Sequence, residues 1–575
     1  MNLGLRDRIA FAISPERGVK RIVNNLRAQV LSQLSANADT RPQRSETRWR
    51  GASTLLRSLS GWIPILGSGR SDTTKRERDR LAARAYDAYR NHLIARSAIT
   101  RMRTAIVGTG LLCNPSVDAE ALGMEDEEAD EFNAATASEF FSYYDNPREV
   151  DLESTLDGYG LQALALVSAL LPGDCWALTP FKEREGCTYG LKIQLVDGAR
   201  VSNPNGGPDT ATLQDGVDLS PDGEPLAIHV RNRHPDDKTF IGAADTWARR
   251  SIWGVESGER RIFQIWSDKD RIGMTRGVSF LAPILEPLQQ LEQYSRAELM
   301  AAVISAMFTV FIKKTGELTD DRGNPIAPIP STTPNPSKGE AVGMNLGFGA
   351  VLDMGIGEEA QFANPARPNS NYDPFFMAVV GQIGAALEMP RDVLLMQYNS
   401  SYSAARAAIL EAWRMFSMRR YWLVQQFCQP HYELWFDEAV ARGRIKVTDY
   451  ADPARRRAYT RAVWIGPARG AMDETKEAQA AATRIEKGLS NESIEVPQMT
   501  GESWLTVYRQ RKREIERRRR DGTELGPAPG QAAAPGGAPG APGAPTPGQP
   551  GDKPGGAPDP GEVEPADDER KQEEA

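Results

Sequence analysis

The residues of this chain that could react or hold a metal are few and scattered. Cysteine and histidine occupy eight positions, which are Cys113, Cys175, Cys187, Cys428, His92, His229, His234 and His431. The cysteines lack the short spacing of a zinc site, and the histidines are equally dispersed. Free thiols of this kind are typical of a reducing compartment. The sequence therefore predicts neither a metal centre nor a disulfide framework.

Motifs for nucleotide binding and hydrolysis are also absent from the sequence. It has no GxxxxGK[ST] loop, no GxSxG turn and no HExxH. The segment GSGRSDTTK, from Gly67, has the wrong spacing for a phosphate loop. The carboxylate pairs Asp236–Asp237 and Asp320–Asp321 lie in polar sequence that favours solvated turns. We therefore predict that the protein is not an enzyme and needs no cofactor.

Residues suited to binding lie on a predicted helix at 281–307. Its apolar positions recur at helical spacing, at Leu281, Ile284, Leu288, Leu291, Leu299 and Val303. The opposite face carries Glu286, Gln289, Gln290, Gln293 and Arg296. We expect a rod of about 40 Å that kinks near Pro287, because proline lacks a backbone donor.

Two further apolar helices flank a short loop. The first, at 370–389, should end before Pro390, and the second should start near Ser403 and kink or end at Pro430. Asn399, Ser400, Ser401 and Ser403 can each cap the second helix. The large side chains Leu394, Leu395, Met396 and Tyr398 lie between the helices, so we expect an exposed loop that contacts another molecule. A helical hairpin buried in a large core is the alternative.

The remaining segments predict a mixture of helices and strands. Helices are expected from Lys75 to Gly108, at 125–144 and 152–171, and again at 473–487 and 501–520. Strand-like runs are CWALTPF, YGLKIQLVDGARV, LAIHVRNR, RRIFQIW, FTVFIKK at 308–314, and two short runs at 348–354 and 463–465. The fold class is therefore α+β with a mixed or antiparallel sheet, and 575 residues indicate more than one domain.

Charge is distributed unevenly along the chain. Residues 1–90 carry 18 Lys/Arg against 8 Asp/Glu, whereas the Pro/Gly-rich segment from Asp521 has 11 acidic and 3 basic residues. The basic arm either contacts nucleic acid or an acidic protein, or is a solvated terminus. The run RQRKREIERRRR is likewise a solvated helix end or a phosphate-binding surface. We expect disorder from Asp521, no signal peptide, and no membrane span, because the apolar run at 299–312 is too short.

Several segments together resemble the lambda-like family of tailed-bacteriophage portal proteins. They are WIPILGS, RNHLIARSAITRMRTAIVGTGL, RIGMTRGVSFLAPILEPLQQLEQYSRAELMAA, YNSSYSAARAAILEAWRMFSMRRYWL and KEAQAAATRIEKGLSNESI. The resemblance covers roughly residues 60–515. In one departure, Met274 and Thr275 precede Arg276 and Gly277, where the family usually has a glutamine.

The resemblance implies a portal-type subunit that assembles into a ring. Its parts are a mixed α/β wing (61–280), a two-helix stem (281–307 and 370–389), a small β-containing clip (308–369), a tunnel loop (390–403), a long kinked wing helix and return (404–470) and a helical crown (471–520). The basic arm (1–60) and the acidic tail (521–575) lie outside the match.

The resemblance also implies a function and partners. A ring, usually of twelve subunits in this family, would lie at one capsid vertex and let double-stranded DNA pass during packaging and ejection, without sequence preference. Expected partners are terminase, a head-completion or adaptor protein, and the major capsid and scaffold proteins, with no membrane. The protein would be a virion component that is assembled in the host cytoplasm.

Four groups of residues follow as candidate sites. The first is the polar stem face named above. The tunnel loop supplies Arg391, Leu394, Met396, Gln397, Tyr398 and Asn399. The terminase-facing clip supplies Lys313, Lys314, Asp320, Asp321 and Arg322. The crown supplies the basic run Arg511, Arg513, Arg517, Arg518, Arg519 and Arg520. A channel must centre DNA without holding it, so a glutamine-rich stem face suits it better than a cationic one.

Other classes of protein remain alternatives. The first is another structural protein of the phage head or head–tail junction that has no DNA channel. A packaging ATPase or nuclease is disfavoured, because the sequence has neither a phosphate loop nor a clustered acidic metal site. A membrane pore is disfavoured by the lack of a spanning segment.

Overall fold

The computed structural model describes residues 67–237, 244–254, 256–307, 311–314, 358–361, 371–398, 401–470 and 473–523. The basic arm, the strand expected at 348–354 and the tail from residue 524 lie outside these residues. The chain up to Leu505 belongs to one compact unit, and the chain from Thr506 belongs to a second.

Helices make up most of the described chain. They are α1 Lys75–Asn91, α2 Leu93–Ile106, α3 Ala119–Leu122, α4 Asp126–Tyr144, α5 Pro147–Val150, α6 Gly158–Leu170, α7 Leu285–Met307, α8 Tyr372–Ala386, α9 Arg391–Leu395, α10 Tyr402–Leu423, α11 Gln429–Ala441, α12 Pro453–Tyr459, α13 Glu474–Glu486, α14 Glu492–Thr500 and α15 Trp504–Arg520.

The strands form small antiparallel sheets. They are β1 Leu112–Pro115, β2 Asp174–Leu178, β3 Gln194–Asp197, β4 Leu213–Gln214, β5 Val217–Leu219, β6 Pro225–Arg231, β7 Trp247–Ser251, β8 Ile262–Trp266, β9 Phe311–Lys314, β10 Glu358–Gln361 and β11 Ala462–Ile465. Strand β2 lies between β3 and β8, β4 to β7 form a four-stranded meander, and β1–β11 and β9–β10 are pairs. The α+β class is therefore confirmed in its coarse form, and these ladders are antiparallel.

The main core joins α4 to α11 through aromatic rings. The ring centroid of Phe140 lies 4.8 Å from that of Tyr144 and 4.8 Å from that of Trp435. It also meets Tyr432 edge-on at 5.2 Å. Such pairs contribute about 0.5–1.5 kcal/mol each beyond the area that they bury. The helix that follows the 390–403 segment is therefore anchored in the core at its far end.

A fully buried histidine lies in this aromatic core. The Tyr143 hydroxyl donates to the Leu191 carbonyl at 3.2 Å, so the Nε2–H of His431 donates to the Tyr143 oxygen at 3.1 Å. The other ring nitrogen, Nδ1, has no partner among the described residues. Burial lowers the pKa of His431 from 6.5 to about 3, because an imidazolium here would lose its hydration.

A buried arginine connects the sheet of β2 to the four-stranded sheet. The Arg276 guanidinium donates to both carboxylate oxygens of Asp174, at 2.8 and 2.9 Å. Its remaining N–H groups donate to the carbonyls of Val201, Asp215 and Gly198. All five donors are thereby used. Burial raises the pKa of Asp174, but Arg276, Arg78 and the Gly277 N–H together lower that pKa by more, so the carboxylate stays ionised.

The residue after this arginine must be a glycine, because the backbone passes too close to Gly173 to leave room for a side chain. A Cβ at Gly277 would lie 2.0 Å from the carbonyl oxygen of Gly173, and the Gly277 N–H donates to Asp174 at 2.9 Å. The Arg276–Gly277 pair that contributes to the family resemblance therefore has a structural role in this chain.

Three helix predictions needed correction. The single helix expected from Lys75 breaks at His92, which is extended and whose Nε2 lies 3.0 Å from the Leu288 carbonyl oxygen. The helix expected at 152–171 begins only at Gly158, because the Asp151 carboxylate accepts the backbone N–H groups of Glu153, Thr155 and Leu156. The kink expected at Pro287 is absent, since this proline lies in the first turn of α7, where its missing N–H has no intrahelical role.

The structure resolves the alternatives at Pro430 in favour of a modified, continuous helix. A π-helical turn at Val424–Cys428 joins α10 to α11, and the Gln429 N–H bonds to the Val424 carbonyl five residues earlier. This wider turn relieves the clash between the proline ring and the preceding turn. The Gln426 side chain in the same turn accepts the Trp266 N–H of β8 at 2.8 Å.

Candidate nucleic-acid interface

The polar face predicted on α7 is exposed as expected. Glu286, Gln289, Gln290, Gln293 and Arg296 are all exposed on this helix. The Gln290 amide donates to Glu286 at 3.2 Å, and the Arg296 guanidinium pairs with Glu292 one turn earlier. The surface is therefore rich in amides, and its one arginine has a carboxylate beside it.

Helix α8 returns alongside α7. The Tyr372 hydroxyl donates to the Ser295 hydroxyl at 3.0 Å, and the Tyr294 ring meets those of Tyr372 and Phe375 at 5.7 and 4.9 Å. At its other end α8 contacts the turn at Ala282–Ile284, before α7. The two helices are therefore antiparallel, and α7 continues beyond the point where α8 begins.

The apolar face of α7 is buried only in its first half. Leu288 and Leu291 are 1% and 3% exposed, but Leu299 and Val303 are 65% and 44% exposed. Leu299 and Val303 therefore share the helical spacing of Leu288 and Leu291 but are exposed. The physical reason is that α8 begins level with Ser295 and does not extend over the last turns of α7.

Part of the predicted loop at 390–403 is a short helix. Helix α9 (Arg391–Leu395) directs Leu394 into the core, where it is 1% exposed, and the Leu394 carbonyl accepts the Ser97 hydroxyl of α2 at 2.7 Å. The prediction that Leu394 is exposed at a loop tip is wrong, because α9 packs against α2. Leu395 is half-buried.

The exposed part of this segment follows α9. Met396 is 59% exposed and has a left-handed backbone, Tyr398 is 50% exposed, and Gln397 and Arg391 are also exposed. Asn399 lies outside the described residues. Ser401 caps α10, its hydroxyl accepting the Ala404 N–H at 3.4 Å.

One cation beside these residues was missed by sequence reasoning. The Arg101 guanidinium of α2 contacts the Met396 sulfur, although 295 positions separate the two residues in the chain. No local pattern in the sequence could reveal such a contact. Arg101 therefore extends the candidate interface beside Met396 and Tyr398.

The predicted clip residues are only partly described. Lys313 and Lys314 lie on β9, and their Cα partners across the antiparallel ladder are Glu359 and Glu358 of β10. The strand predicted at 308–314 is confirmed over its last four residues. Asp320, Asp321 and Arg322 lie outside the described residues.

The predicted basic run lies on α15. The run consists of Arg511, Arg513, Arg517, Arg518, Arg519 and Arg520, all of which are exposed. The helix ends at Arg520, so four of these arginines form its last turn. Cations in this position interact favourably with the negative end of the helix dipole.

Within the described part of the chain, no three His, Cys, Asp or Glu side chains are grouped so that they could hold a metal ion. Among these same residues, no helix is long and apolar enough to cross a bilayer.

Comparison with known families gives a match over most of the chain. The family model described as phage portal protein, lambda family, matches residues 56–420. Portal protein B of Escherichia phage lambda is 24% identical over 461 residues, which cover 76% of this chain and 84% of that protein. The portal protein of Escherichia phage N15 is 26% identical over 471 residues, which cover 79% and 86%.

Solved structures give more distant likenesses. The neck of a native GTA particle, computed with C12 symmetry, is 11% identical, with a TM-score of 0.38, and the match covers 75% of this chain and 96% of that chain. The virion of a native gene transfer agent particle is 13% identical, with a TM-score of 0.35, and covers 68% and 98%.

Proposed function

The chain belongs to the lambda family of phage portal proteins, and we propose that it forms a ring at one capsid vertex through which double-stranded DNA is packaged and ejected. The ring has twelve copies in this proposal. The family is structural, so the proposed role is that of a channel and a docking platform.

Each part of the chain takes a role in this proposal. The parts are the wing (61–280), the stem (281–307 and 370–389), the clip (308–369), the tunnel loop (390–403), the long wing helix and return (404–470) and the crown (471–520). Three exposed apolar residues lie on the second half of α7, namely Leu299, Met300 and Val303. In this proposal they pack against neighbouring copies, because apolar side chains that are exposed in a single chain can be buried where the subunits of a ring meet.

The observation that carries the proposal is the polar face of α7. Its five exposed residues include three glutamines, one glutamate and one arginine beside a carboxylate. Each cation that neutralises a phosphate adds affinity for DNA, and rotational symmetry repeats that cation in every subunit. A face with so little net positive charge lets a duplex slide, whereas a cationic face would hold it.

The exposed residues after α9 supply a second contact. Met396 and Tyr398 offer apolar and aromatic surface to the duplex, while Arg101 lies beside them. Apolar side chains can contact a duplex sterically without neutralising its phosphates, so no counterions are released. Such contacts can limit backward movement of the DNA and add little salt-dependent affinity for it.

The same proposal assigns the protein partners. Terminase and the adaptor protein dock on the clip, around Lys313, Lys314, Asp320, Asp321 and Arg322. The basic run of α15 faces packaged DNA, and the outer surface contacts capsid and scaffold proteins. Virion location at the portal vertex follows from these contacts.

The experiment adds one cation to the proposed channel face. Gln293→Lys is compared with Ala135→Lys, which adds the same charge to an exposed position of α4. Particles are assembled with each variant, and DNase-resistant DNA per particle is measured. We expect Gln293→Lys to reduce packaged DNA about tenfold, since twelve added cations increase phosphate binding. Ala135→Lys should package normally.

Imaging and salt provide the controls. Both variants should form rings with an axial opening in electron micrographs, so a packaging defect cannot be attributed to lost assembly. Raised salt should partly restore Gln293→Lys, because screening weakens phosphate contacts. Equal packaging by the two variants would contradict a DNA-facing α7. Rings without an axial opening would favour the alternative, a head protein without a DNA channel.

A further inference from the structure

Helix α15 carries a stripe of arginines along one side. Arg509, Arg513, Arg517 and Arg520 are spaced four, four and three residues apart, which places them on one face of a helix. Residues 506–523 contain eight Lys/Arg and three Asp/Glu, a surplus of five positive charges. The described structure therefore contains a strongly cationic helical face in the second compact unit.

This face is only partly explained by the helix itself. Cations in the last turn are favoured by the helix dipole, but that effect fades within one turn. Like charges at a four-residue spacing destabilise a helix, and Arg513 and Arg517 have this spacing, while Glu514 and Glu516 offset only part of the positive charge of residues 506–523. An anionic partner would remove the repulsion along the whole stripe.

The chain carries a matching anionic segment at residues 561–575. Residues 561–575 contain seven Asp/Glu and two Lys/Arg, a surplus of five negative charges. The intervening residues 524–560 could span up to about 120 Å if fully extended, whereas α15 is about 25 Å long. The connection is therefore long enough for the acidic segment to reach any part of the stripe.

We propose that residues 561–575 bind the arginine stripe of α15 in the same chain, and that a polyanion such as duplex DNA displaces them. Tethering gives the acidic segment a high effective concentration at the helix, while its affinity stays low enough for exchange. The stripe is then screened from stray polyanions and accessible to DNA that is held close to it. This inference does not depend on the channel role of α7.

The first experiment uses the lysine within the arginine run. Lys512 is the sole amine in residues 506–523, and it is exposed beside Arg513. A carbodiimide joins amines to carboxylates that touch them, so the full chain should yield crosslinks between Lys512 and residues 561–575. Lys512→Arg, which keeps the charge, should lose these crosslinks and no others.

Isotope mixing tests whether the contact lies within one chain. Light and heavy chains are mixed, and the crosslinked peptides are weighed. Light–light and heavy–heavy pairs support the proposal, whereas a statistical share of light–heavy pairs would overturn the same-chain assignment. An absence of Lys512 crosslinks to 561–575 would overturn the contact itself.

The second experiment measures competition with DNA. A labelled duplex is titrated by fluorescence anisotropy into the full chain, into a chain ending at Thr523, and into a full-length variant with Glu562, Glu564, Asp567, Asp568 and Glu569 changed to amides. If the tail occupies the stripe two-thirds of the time, the two altered proteins bind about threefold more tightly. The gain should vanish at high salt.

Two control variants test whether the affinity for DNA depends on the charge of residues 561–575 and on the arginines of the stripe. A full-length variant with residues 561–575 in scrambled order keeps the charge and should bind DNA as the wild type does. Reversal of Arg513 and Arg517 to Glu should abolish the difference between full-length and shortened chains. Equal affinity of the full-length and shortened wild-type chains would overturn the proposal.

Discussion

Burial of His431 predicts a specific loss of stability in acid. The ring is 0% exposed and packs against Phe427 and Tyr143, with centroid separations of 6.5 and 5.8 Å. His431→Phe keeps an aromatic ring at this position and removes the group that titrates. We expect the wild-type protein to lose stability between pH 6.5 and about 3, and the variant to lack that part of the loss.

The magnitude follows from the difference between the two pKa values. In the unfolded chain the histidine takes up a proton near pH 6.5, but in the folded chain it does so only near pH 3. The unfolded state therefore binds more protons in this window, so the free energy of unfolding falls as pH falls. At about pH 4.5 the loss due to His431 is about 3 kcal/mol, because one pKa unit corresponds to about 1.4 kcal/mol.

Denaturant unfolding at one fixed protein concentration measures this loss. Wild type, His431→Phe and Tyr143→Phe are unfolded in urea at about pH 7.5 and about pH 4.5, with tryptophan fluorescence as the readout. His431→Phe and Tyr143→Phe both remove the bond between His431 and Tyr143, but only the first removes the titrating ring. Tyr143→Phe should therefore keep the wild-type acid sensitivity, while His431→Phe should lose about 3 kcal/mol of it.

Two results would refute this reasoning. One is equal acid sensitivity in wild type and His431→Phe, which would mean that His431 takes up its proton without unfolding. The other comes from NMR of selectively labelled histidines in the wild type. A His431 ring signal that titrates near pH 6 in the folded protein would contradict its burial, and this measurement does not require any variant to fold.

Two further predictions concern stability. Gly384→Ala should lower the free energy of unfolding by about 2 kcal/mol or more, because the added Cβ would lie 2.5 Å from the Met389 carbonyl oxygen. Gly381→Ala in the same helix has no atom within 4 Å of the added carbon and should stabilise the protein by up to about 1 kcal/mol, and urea midpoints compare the two. Asp174→Asn should cost about 3–5 kcal/mol in the same assay, because it removes the carboxylate that pairs most closely with the buried Arg276, leaving only Asp215, which Arg78 shares, near that charge. Wild-type midpoints for Gly384→Ala or Asp174→Asn would contradict the corresponding contact.

The sequence predicted the elements that have strong local signals. Helical spacing located the first half of α7 and its polar face, and alternation located β2, β6 and β8. Helix α8 ends before Pro390, at Ala386, and Ser401, one of four candidate caps, lies at the N-terminus of α10. These features depend on residues that are close in the chain, so the pattern of residue types contains the necessary information.

The features that the sequence did not predict depend on contacts between residues that are distant in the chain. A five-residue helix is too short to show periodicity, so burial of Leu394 against α2 was not predictable. The contact of Arg101 with Met396 and the bonds of Arg276 to Asp174 join segments 295 and 102 residues apart. Without knowledge of which elements pack together, the role of such polar residues cannot be inferred from their neighbours in sequence.

The π turn at Val424–Cys428 constrains how this chain can change length. It inserts one residue into an otherwise continuous rod, and each residue of an α-helix turns by about 100°. Because the extra residue is absorbed within this turn, deleting one residue there would leave Tyr432, Trp435 and Phe436 facing the aromatic core, whereas deleting one residue from α10 would rotate them by that angle and turn them out of it. The position of a length change along this rod therefore decides whether the aromatic core is kept.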